Sequence, residues 1–249
     1  MTVKPTLGKA FSMPRGAPLY TAPPYHSQGN RSISILFQTT PETLRELVPV
    51  PLVSNPNSLL FVYFAQFNVV SPQMFTYQEA GIGVPVTFKD TPGQFAVYLY
   101  LDHTGAIIVG REIYGWPKKD AKISFTERNE VISAQVDREG VMLIEATVHR
   151  SERLDPPPKP SNLPWFNLKL IPSVKKNAPP DVMQLTSMVI ETDTKELHTG
   201  SATLKFGSSA LDPLGNIPVV RVLQGTYTID DSTLGYGDVV YNYLAESKQ

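Results

Sequence analysis

Two adjacent lysines end the segment GREIYGWPKK, which spans residues 110–119. A lysine amine is a nucleophile only without its proton, and the ordinary pKa of a lysine side chain is about 10.4. Apolar surroundings and a neighbouring ammonium both disfavour the charged form. Lys118 follows Trp116 and the apolar run 106–109, while Lys119 supplies the neighbouring charge. The segment therefore predicts an amine that forms a Schiff base with a carbonyl substrate.

The direction of the two lysine side chains depends on local structure. In an extended segment, successive side chains point to opposite faces, so one lysine enters the interior and the other stays near the surface. Two solvated lysines at the end of a strand are the alternative interpretation. The apolar and aromatic residues before Lys118 favour a buried amine.

Three charged residues are candidates to act beside the amine. Glu79 precedes the apolar stretch 84–86, and a carboxylate near an imine could bind, orient or carry a proton. A surface glutamate in a turn is the alternative. Arg111 and Glu112 would face opposite ways on a strand, so both cannot line one cavity. Arg111 could hold a substrate carboxylate through paired hydrogen bonds, or form a structural ion pair.

Composition excludes several kinds of chemistry. The chain has no cysteine, which excludes disulfides, thiolate metal sites and thiol catalysis. None of the four histidines has metal-ligand spacing, and phosphate-binding, dinucleotide and serine-nucleophile motifs are missing. We therefore expect no metal and no cofactor.

Charge and hydropathy limit the partners. The formal net charge of −1 gives no support for a nucleic-acid partner. The most apolar long run, residues 58–70, is too short to cross a bilayer, and the first residues lack the apolar core of a secretory signal. We expect a cytoplasmic protein with no membrane partner.

Strand patterns dominate the rest of the 249-residue chain. Many β-rich runs are separated by short turns, which favours antiparallel hairpins. One strand is predicted at 106–113. Thr40 and the proline after it predict the start of a helix that ends near Pro49, and a second helix is predicted at 237–244. The proline-rich stretch 154–164 is interpreted as a surface crossover within one domain rather than an interdomain linker.

The segment 110–119 resembles the G-R-E and P-K-K signature of the acetoacetate decarboxylase family. Further segments resemble that family in the same order along nearly the whole chain. They are Met13-Pro14-Arg15-Gly16, the V-P-x-P-L segment at 48–52, the Y-x-E-x-G segment at 77–86, and the segments 166–172, 198–200 and 212–214.

The resemblance implies a fold and an oligomeric state. The expected fold is mainly β (α+β), a single domain over residues 1–249. It is a curved antiparallel sheet that forms a cone-like barrel with a few short helices. The resemblance also implies a homo-oligomer that acts on a small-molecule oxo acid.

The resemblance also implies roles for individual residues. Lys118 is the Schiff-base lysine, Lys119 the charged neighbour that favours its neutral form, and Glu79 the active-site glutamate. Arg31 is the candidate for the family's active-site arginine, which lies shortly before the first core strand. Trp116 stands where the family's decarboxylases have a tyrosine, and is expected to shape the substrate pocket.

One departure from the family pattern affects the expected reaction. The family's decarboxylases carry a second glutamate upstream of Glu79, but the corresponding residues 64–66 contain no acid. The main expectation is decarboxylation of a small 2- or 3-oxo acid, as in acetoacetate decarboxylase, through an imine on Lys118. The alternatives are a pyruvate-dependent aldolase-dehydratase that uses the same lysine, a non-catalytic β-barrel that binds a carbonyl ligand, and a fold relative with an unrelated cyclisation or hydration role.

Overall fold

The structure is a computed structural model that describes residues 11–14 and 16–246. Its helices are short: α1 (Pro41–Leu47), α2 (Thr104–Val109) and α3 (Tyr243–Glu246), with a π-helical turn at Gly110–Tyr114 and a 3-10 turn at Leu214–Asn216. The strands are β1 (Tyr25–Gln38), β2 (Val53–Ser54), β3 (Leu59–Ser71), β4 (Phe75–Phe88), β5 (Thr91–Leu101), β6 (Lys118–Asp120), β7 (Lys122–Arg128), β8 (Val131–Arg138), β9 (Val141–His149), β10 (Glu152–Arg153), β11 (Trp165–Ile171), β12 (Val182–Met188), β13 (Ile190–Gly200), β14 (Ala202–Phe206), β15 (Arg221–Leu234) and β16 (Asp238–Asn242).

Twelve strands form one curved sheet in the order β10-β13-β15-β1-β3-β4-β5-β11-β12-β16, with β2 on β4 and β6 on β5. The prediction of a mainly β fold with a curved sheet and few short helices is confirmed. Two details differ from the expectation. The sheet does not close into a true barrel, and β6 and β11 run parallel to β5.

A second sheet of four strands, β14-β9-β8-β7, packs on one face of the large sheet. Alternate residues of β1, such as Ile33 and Ile35, are fully buried in the core between the sheets, together with Ile132 and Ile144 of the small sheet. Because side chains of a strand alternate between faces, the residues between them project to the other side. That other face lines the cavity described below.

The strand predicted at 106–113 is wrong, because the chain forms α2 and the π-helical turn there. The His103 side chain accepts a hydrogen bond from the backbone N–H of Ala106 at 3.1 Å, which caps the helix start. Gly115, at a φ of 75°, ends the turn in the left-handed conformation that glycine adopts easily. Local capping therefore overrides the β-propensity of Ile107 and Ile108.

The helix predicted at 237–244 is mostly wrong. Residues Asp238–Asn242 form β16, which pairs antiparallel with β12, and only the short α3 follows. The pairing gives the Val-Val-Tyr stretch hydrogen-bond partners on an existing sheet, which suits its high β-propensity.

Helix α1 has the predicted start, since the Thr40 side chain accepts a hydrogen bond from the N–H of Thr43 at 3.3 Å. The proline-rich stretch 154–164 crosses between β10 and β11 without regular structure, and residues 160–163 reach the cavity wall. Among the described residues, no helix is both long and apolar enough to span a membrane.

Candidate active site

Strand β6 fixes the direction of the two adjacent lysines. It lies parallel to β5, with Lys118 opposite Leu99, so the side chains of Lys118 and Lys119 point to opposite faces. Lys118 is 4% exposed and lines the cavity. Arg111 donates a hydrogen bond to the backbone carbonyl of Lys118 at 3.1 Å, which holds the start of the strand in place.

A glycine makes room for the stem of Lys118. A Cβ at Gly110 would lie 2.5 Å from Cδ and 2.7 Å from Cε of Lys118. Gly110 has ordinary helical backbone angles, so space rather than conformation requires a glycine here. The G-R-E part of the sequence segment thus packs directly on the P-K-K part.

The Lys118 amine is paired with a buried carboxylate. Its Nζ lies 2.9 Å from Oε2 of Glu79 on β4, and the two side chains are only 4% and 7% exposed. The Tyr63 hydroxyl donates a hydrogen bond to the other oxygen, Oε1, at 2.5 Å. Oε2 itself receives no well-aligned hydrogen bond from the described residues. The carboxylate is therefore fixed through Oε1, with Oε2 facing the lysine amine.

Aromatic rings surround this ion pair. The Lys118 nitrogen lies 4.7 Å from the centre of the Trp116 ring and 5.8 Å from that of Tyr77. Burial raises the pKa of Tyr63 and of Tyr77 well above the usual value, and the negative charge of Glu79 raises both further. Both phenols therefore keep their protons at neutral pH, and Tyr63 stays a hydrogen-bond donor.

The pair opens into a cavity of about 630 Å³. Such a volume is typical of sites that hold an organic ligand rather than a few waters. Its walls come mainly from β1, β3, β4, β15 and the stretch 160–163, and many of the lining residues are aromatic: Phe61, Tyr63, Phe67, Phe75, Tyr77, Trp116 and Trp165.

Lys119 is placed away from the cavity. Its Nζ lies 2.8 Å from Oδ1 of the buried Asp212, which also accepts hydrogen bonds from Tyr100 at 2.9 Å and Arg138 at 3.0 Å. Burial raises the pKa of Asp212, but the hydrogen bonds from Lys119 and Tyr100 and the nearby positive charges outweigh this and hold it below its usual value. The charge of Lys119 is thus balanced by a carboxylate on the face opposite Lys118.

Arg31 does not line the cavity, in contrast to the substrate-binding role expected for it. Its neighbours Asn30 and Ser32 face the cavity, so strand alternation turns Arg31 to the other face. There it donates a hydrogen bond to Gln66 at 2.7 Å and lies 3.8 Å from Glu127. Arg15, from the other arginine-bearing segment of the family resemblance, lies outside the described residues.

Of the remaining candidates, Trp116 lines the cavity, whereas Arg111 and Glu112 do not. Glu112 accepts a hydrogen bond from the Tyr20 hydroxyl at 2.5 Å. Burial and this bond to Glu112 raise the pKa of Tyr20. Of residues 64–66, where the family resemblance implies a second acid, Ala65 lines the cavity and is the cross-strand partner of Glu79.

The sequence did not reveal Tyr63, nor the polar group of Asn30 and Asp230 on the part of the cavity wall where β1 and β15 pair. Tyr63 contacts Glu79 only because β3 pairs with β4, and Asn30 meets Asp230 only because β1 pairs with β15. The alternation of side chains along β3 could have pointed to Tyr63, because Tyr63 lies on the same strand face as Ala65, which falls within the stretch where the second acid was expected.

Comparisons with known proteins show which family this chain resembles in sequence and fold. The family model described as acetoacetate decarboxylase matches residues 12–244. An acetoacetate decarboxylase of Burkholderia cenocepacia is 32% identical over 96% of this chain and 97% of its own length. The crystal structure of acetoacetate decarboxylase from Legionella pneumophila superposes with a TM-score of 0.86 at 28% identity, covering 98% of each chain. An acetoacetate decarboxylase-like enzyme from Sphingomonas wittichii, at 18% identity and a TM-score of 0.82 over 94% of this chain and 99% of its own, shares the fold.

A match of this extent defines the class of protein, which is a carbon–carbon lyase. The chain belongs to the acetoacetate decarboxylase family.

Proposed function

We propose that this protein decarboxylates a 3-oxo acid through a Schiff base on Lys118. The observation that carries the proposal is the buried pair of Lys118 and Glu79, 2.9 Å apart, at the wall of a cavity large enough for an organic substrate. A buried ion pair of this kind contributes little to stability, because desolvation offsets most of the attraction. Its position in a cavity favours a chemical role.

The first half of the reaction forms the imine. Glu79 takes a proton from the Lys118 ammonium, and the free amine attacks the ketone carbon of the substrate. Loss of the ketone oxygen as water leaves a positively charged iminium that joins Lys118 to the substrate. The carboxyl group of Glu79, now protonated, is placed to supply the proton that this departing water needs.

The second half breaks the carbon–carbon bond. The electron pair of the bond to the carboxylate moves towards the iminium nitrogen, which releases carbon dioxide and leaves a neutral enamine. A proton adds to the enamine carbon and restores the iminium, and water then hydrolyses it to the ketone product and free Lys118. Glu79 is a carboxylate again once the water has left, so this proton comes from solvent, and Glu79, held by Tyr63, is placed to pick it up and pass it to the enamine carbon.

A second candidate reaction is an aldol condensation and dehydration in which pyruvate forms the imine. Its enamine would attack an aldehyde instead of taking up a proton. The observation that favours it is Ala65, which leaves Glu79 without a second carboxylate on the neighbouring strand. Both candidates need the same lysine and differ in the fate of the enamine.

Two assays separate the candidates. One measures carbon dioxide release from acetoacetate, and the other measures product formation from pyruvate and an aldehyde. We expect carbon dioxide release that is lost in Lys118→Ala and kept in Lys122→Ala, a matched change at an exposed lysine on β7. Condensation of pyruvate with an aldehyde, with no carbon dioxide release from any 3-oxo acid, would favour the second candidate. Activity that survives Lys118→Ala would contradict both.

A further inference from the structure

The cavity lining includes polar side chains that the proposed reaction does not use. Lys118 and Glu79 form the reactive end. One group of the unused side chains lies where β1 and β15 pair, and it comprises Ser27, Asn30, Asp230 and Ser232; we call it the far polar wall.

Asn30 organises the far polar wall. It is 1% exposed, and its Nδ2 donates hydrogen bonds to Oγ of Ser27 at 2.8 Å, Oδ1 of Asp230 at 3.0 Å and Oγ of Ser232 at 3.1 Å. Its Oδ1 accepts a hydrogen bond from the N–H of Asn68 at 3.1 Å. The N–H groups of the Asn30 amide are all used within the protein, and one of these bonds fixes the Asp230 carboxylate at the cavity surface.

Asp230 has unused hydrogen-bonding capacity. Only its Oδ1 receives the bond from Asn30, and a carboxylate can accept several. Burial raises the pKa of Asp230, and the hydrogen bond from Asn30 offsets only part of this rise. A ligand group that donates a hydrogen bond would relieve the cost of burying this carboxylate.

The reactive end and the far polar wall are several strands apart. Asp230 pairs with Asn30 on β1, β1 pairs with β3, and β3 pairs with the β4 strand that carries Glu79. Three strand spacings amount to about 14 Å along the sheet, and curvature shortens the direct path. A ligand that reaches both regions must therefore be much longer than acetoacetate.

Aromatic residues line much of the cavity wall. Phe61, Tyr63 and Trp165 pack edge to face or tilted at centroid distances of 5.8 to 6.5 Å, and Phe67 stacks on Tyr77 at 5.2 Å. Such walls favour an apolar, flat ligand body. Among the described lining residues, Lys118 is the sole lysine or arginine, so the far polar wall offers neither of these cations to an anionic group.

We infer that the substrate is a 3-oxo acid whose chain carries an aromatic body and ends in a hydroxyl or amino group that donates a hydrogen bond to Asp230. This inference rests on the proposed function and specifies its substrate class. The oxo acid reacts at Lys118, the aromatic body fills the middle of the cavity, and the donor reaches the far polar wall.

Three probes test the inference: 3-oxo-5-(4-hydroxyphenyl)pentanoate, 3-oxo-5-phenylpentanoate and acetoacetate. We expect the phenyl compound to exceed acetoacetate in kcat/KM by about 100-fold, because a buried aromatic ring contributes that much binding. The hydroxyl should add about 10-fold. The ratio of kcat/KM between the hydroxyphenyl and the phenyl compound should fall towards one in Asp230→Ala. It should persist in Asp231→Ala, a matched change at a neighbour that does not line the cavity.

Borohydride trapping on Lys118 with the same probes tests the substrate class and the Schiff-base function separately. Trapping and turnover that are equal for all three probes would overturn the substrate class and leave the Schiff-base function in place. No trapping with any probe would overturn the function itself. A hydroxyl preference that survives Asp230→Ala would overturn the role of Asp230.

Discussion

Ala65 and Glu79 are direct cross-strand partners, and both face the cavity that holds Lys118. Acids placed at these two positions would lie side by side, and the charge of one would raise the pKa of the other. Ala65 instead leaves Glu79 as the one carboxylate that contacts the amine among the described residues, with Tyr63 as its fixed hydrogen-bond donor. In the proposed reaction, a single acid therefore has to carry the protons at Lys118.

Replacing Ala65 by glutamate tests the significance of that single acid. We expect Ala65→Glu to raise carbon dioxide release from acetoacetate, since a second carboxylate adds a proton donor beside the enamine. We also expect a lower melting temperature, because Ala65 is buried. Ala65→Gln is the matched control of similar size without an acid. Equal rates for the two variants would contradict the importance of the missing carboxylate.

The hydroxyl of Tyr63 should matter through Glu79. Tyr63→Phe removes the hydrogen bond to Oε1 and should lower kcat by about 10- to 100-fold, the value of a bond to a charged group. Because burial and the charge of Glu79 raise the pKa of Tyr63, the wild-type hydroxyl should stay a donor past pH 10. Steady-state kinetics measure both effects. Tyr98→Phe, outside the cavity lining, is the control, and an equal loss there would argue for a general folding defect.

The contact between Gly110 and Lys118 predicts a steric effect. Gly110→Ala places a methyl group against the Lys118 stem, so the amine should move from Glu79 and activity should fall by about 10-fold or more. Gly235→Ala is the control, since its Cβ would meet no atom within 4 Å. Activity assays with melting curves distinguish displacement from unfolding. Full activity in Gly110→Ala would contradict the tight packing.

Asp212 should make stability depend on pH. The pKa of Asp212 lies below the usual value in the folded protein. The ionised carboxylate therefore contributes fully to the free energy of unfolding above about pH 4, and this contribution is lost as the pH falls through the pKa of the folded state. Asp212→Asn should lower the free energy of unfolding by about 3 kcal/mol at pH 7, because it removes the buried carboxylate that Lys119 and Arg138 share.

Urea unfolding at several pH values measures this effect, with the exposed Asp181→Asn as control. The difference between wild type and Asp212→Asn should shrink below about pH 4. A difference that stays constant down to pH 2 would contradict the charged role of Asp212.

Some of the site was predictable from sequence because strand alternation is a local rule. The opposite directions of Lys118 and Lys119 follow from it, and so does the shared face of Tyr63 and Ala65. The direction of Arg31 was not predictable, since β1 has register shifts between Ser27 and Arg31 that reset the alternation.

Other features depend on contacts between distant segments. The Asn30 and Asp230 contact joins positions 200 residues apart, and no local pattern encodes the pairing of β1 with β15. The apolar stretch at 106–109 suits a strand by propensity, but the His103 cap and the packing of Gly110 on Lys118 favour a helical turn. Tertiary context decided both cases.

The most direct measurement is to incubate the protein with acetoacetate or pyruvate, reduce with borohydride, and map the modified residue by mass spectrometry. A Schiff base on Lys118 predicts one reduced adduct on that residue, absent from Lys118→Ala and retained in Lys122→Ala. An adduct on Lys119 or another lysine instead, or no adduct with any 2- or 3-oxo acid, would contradict the account.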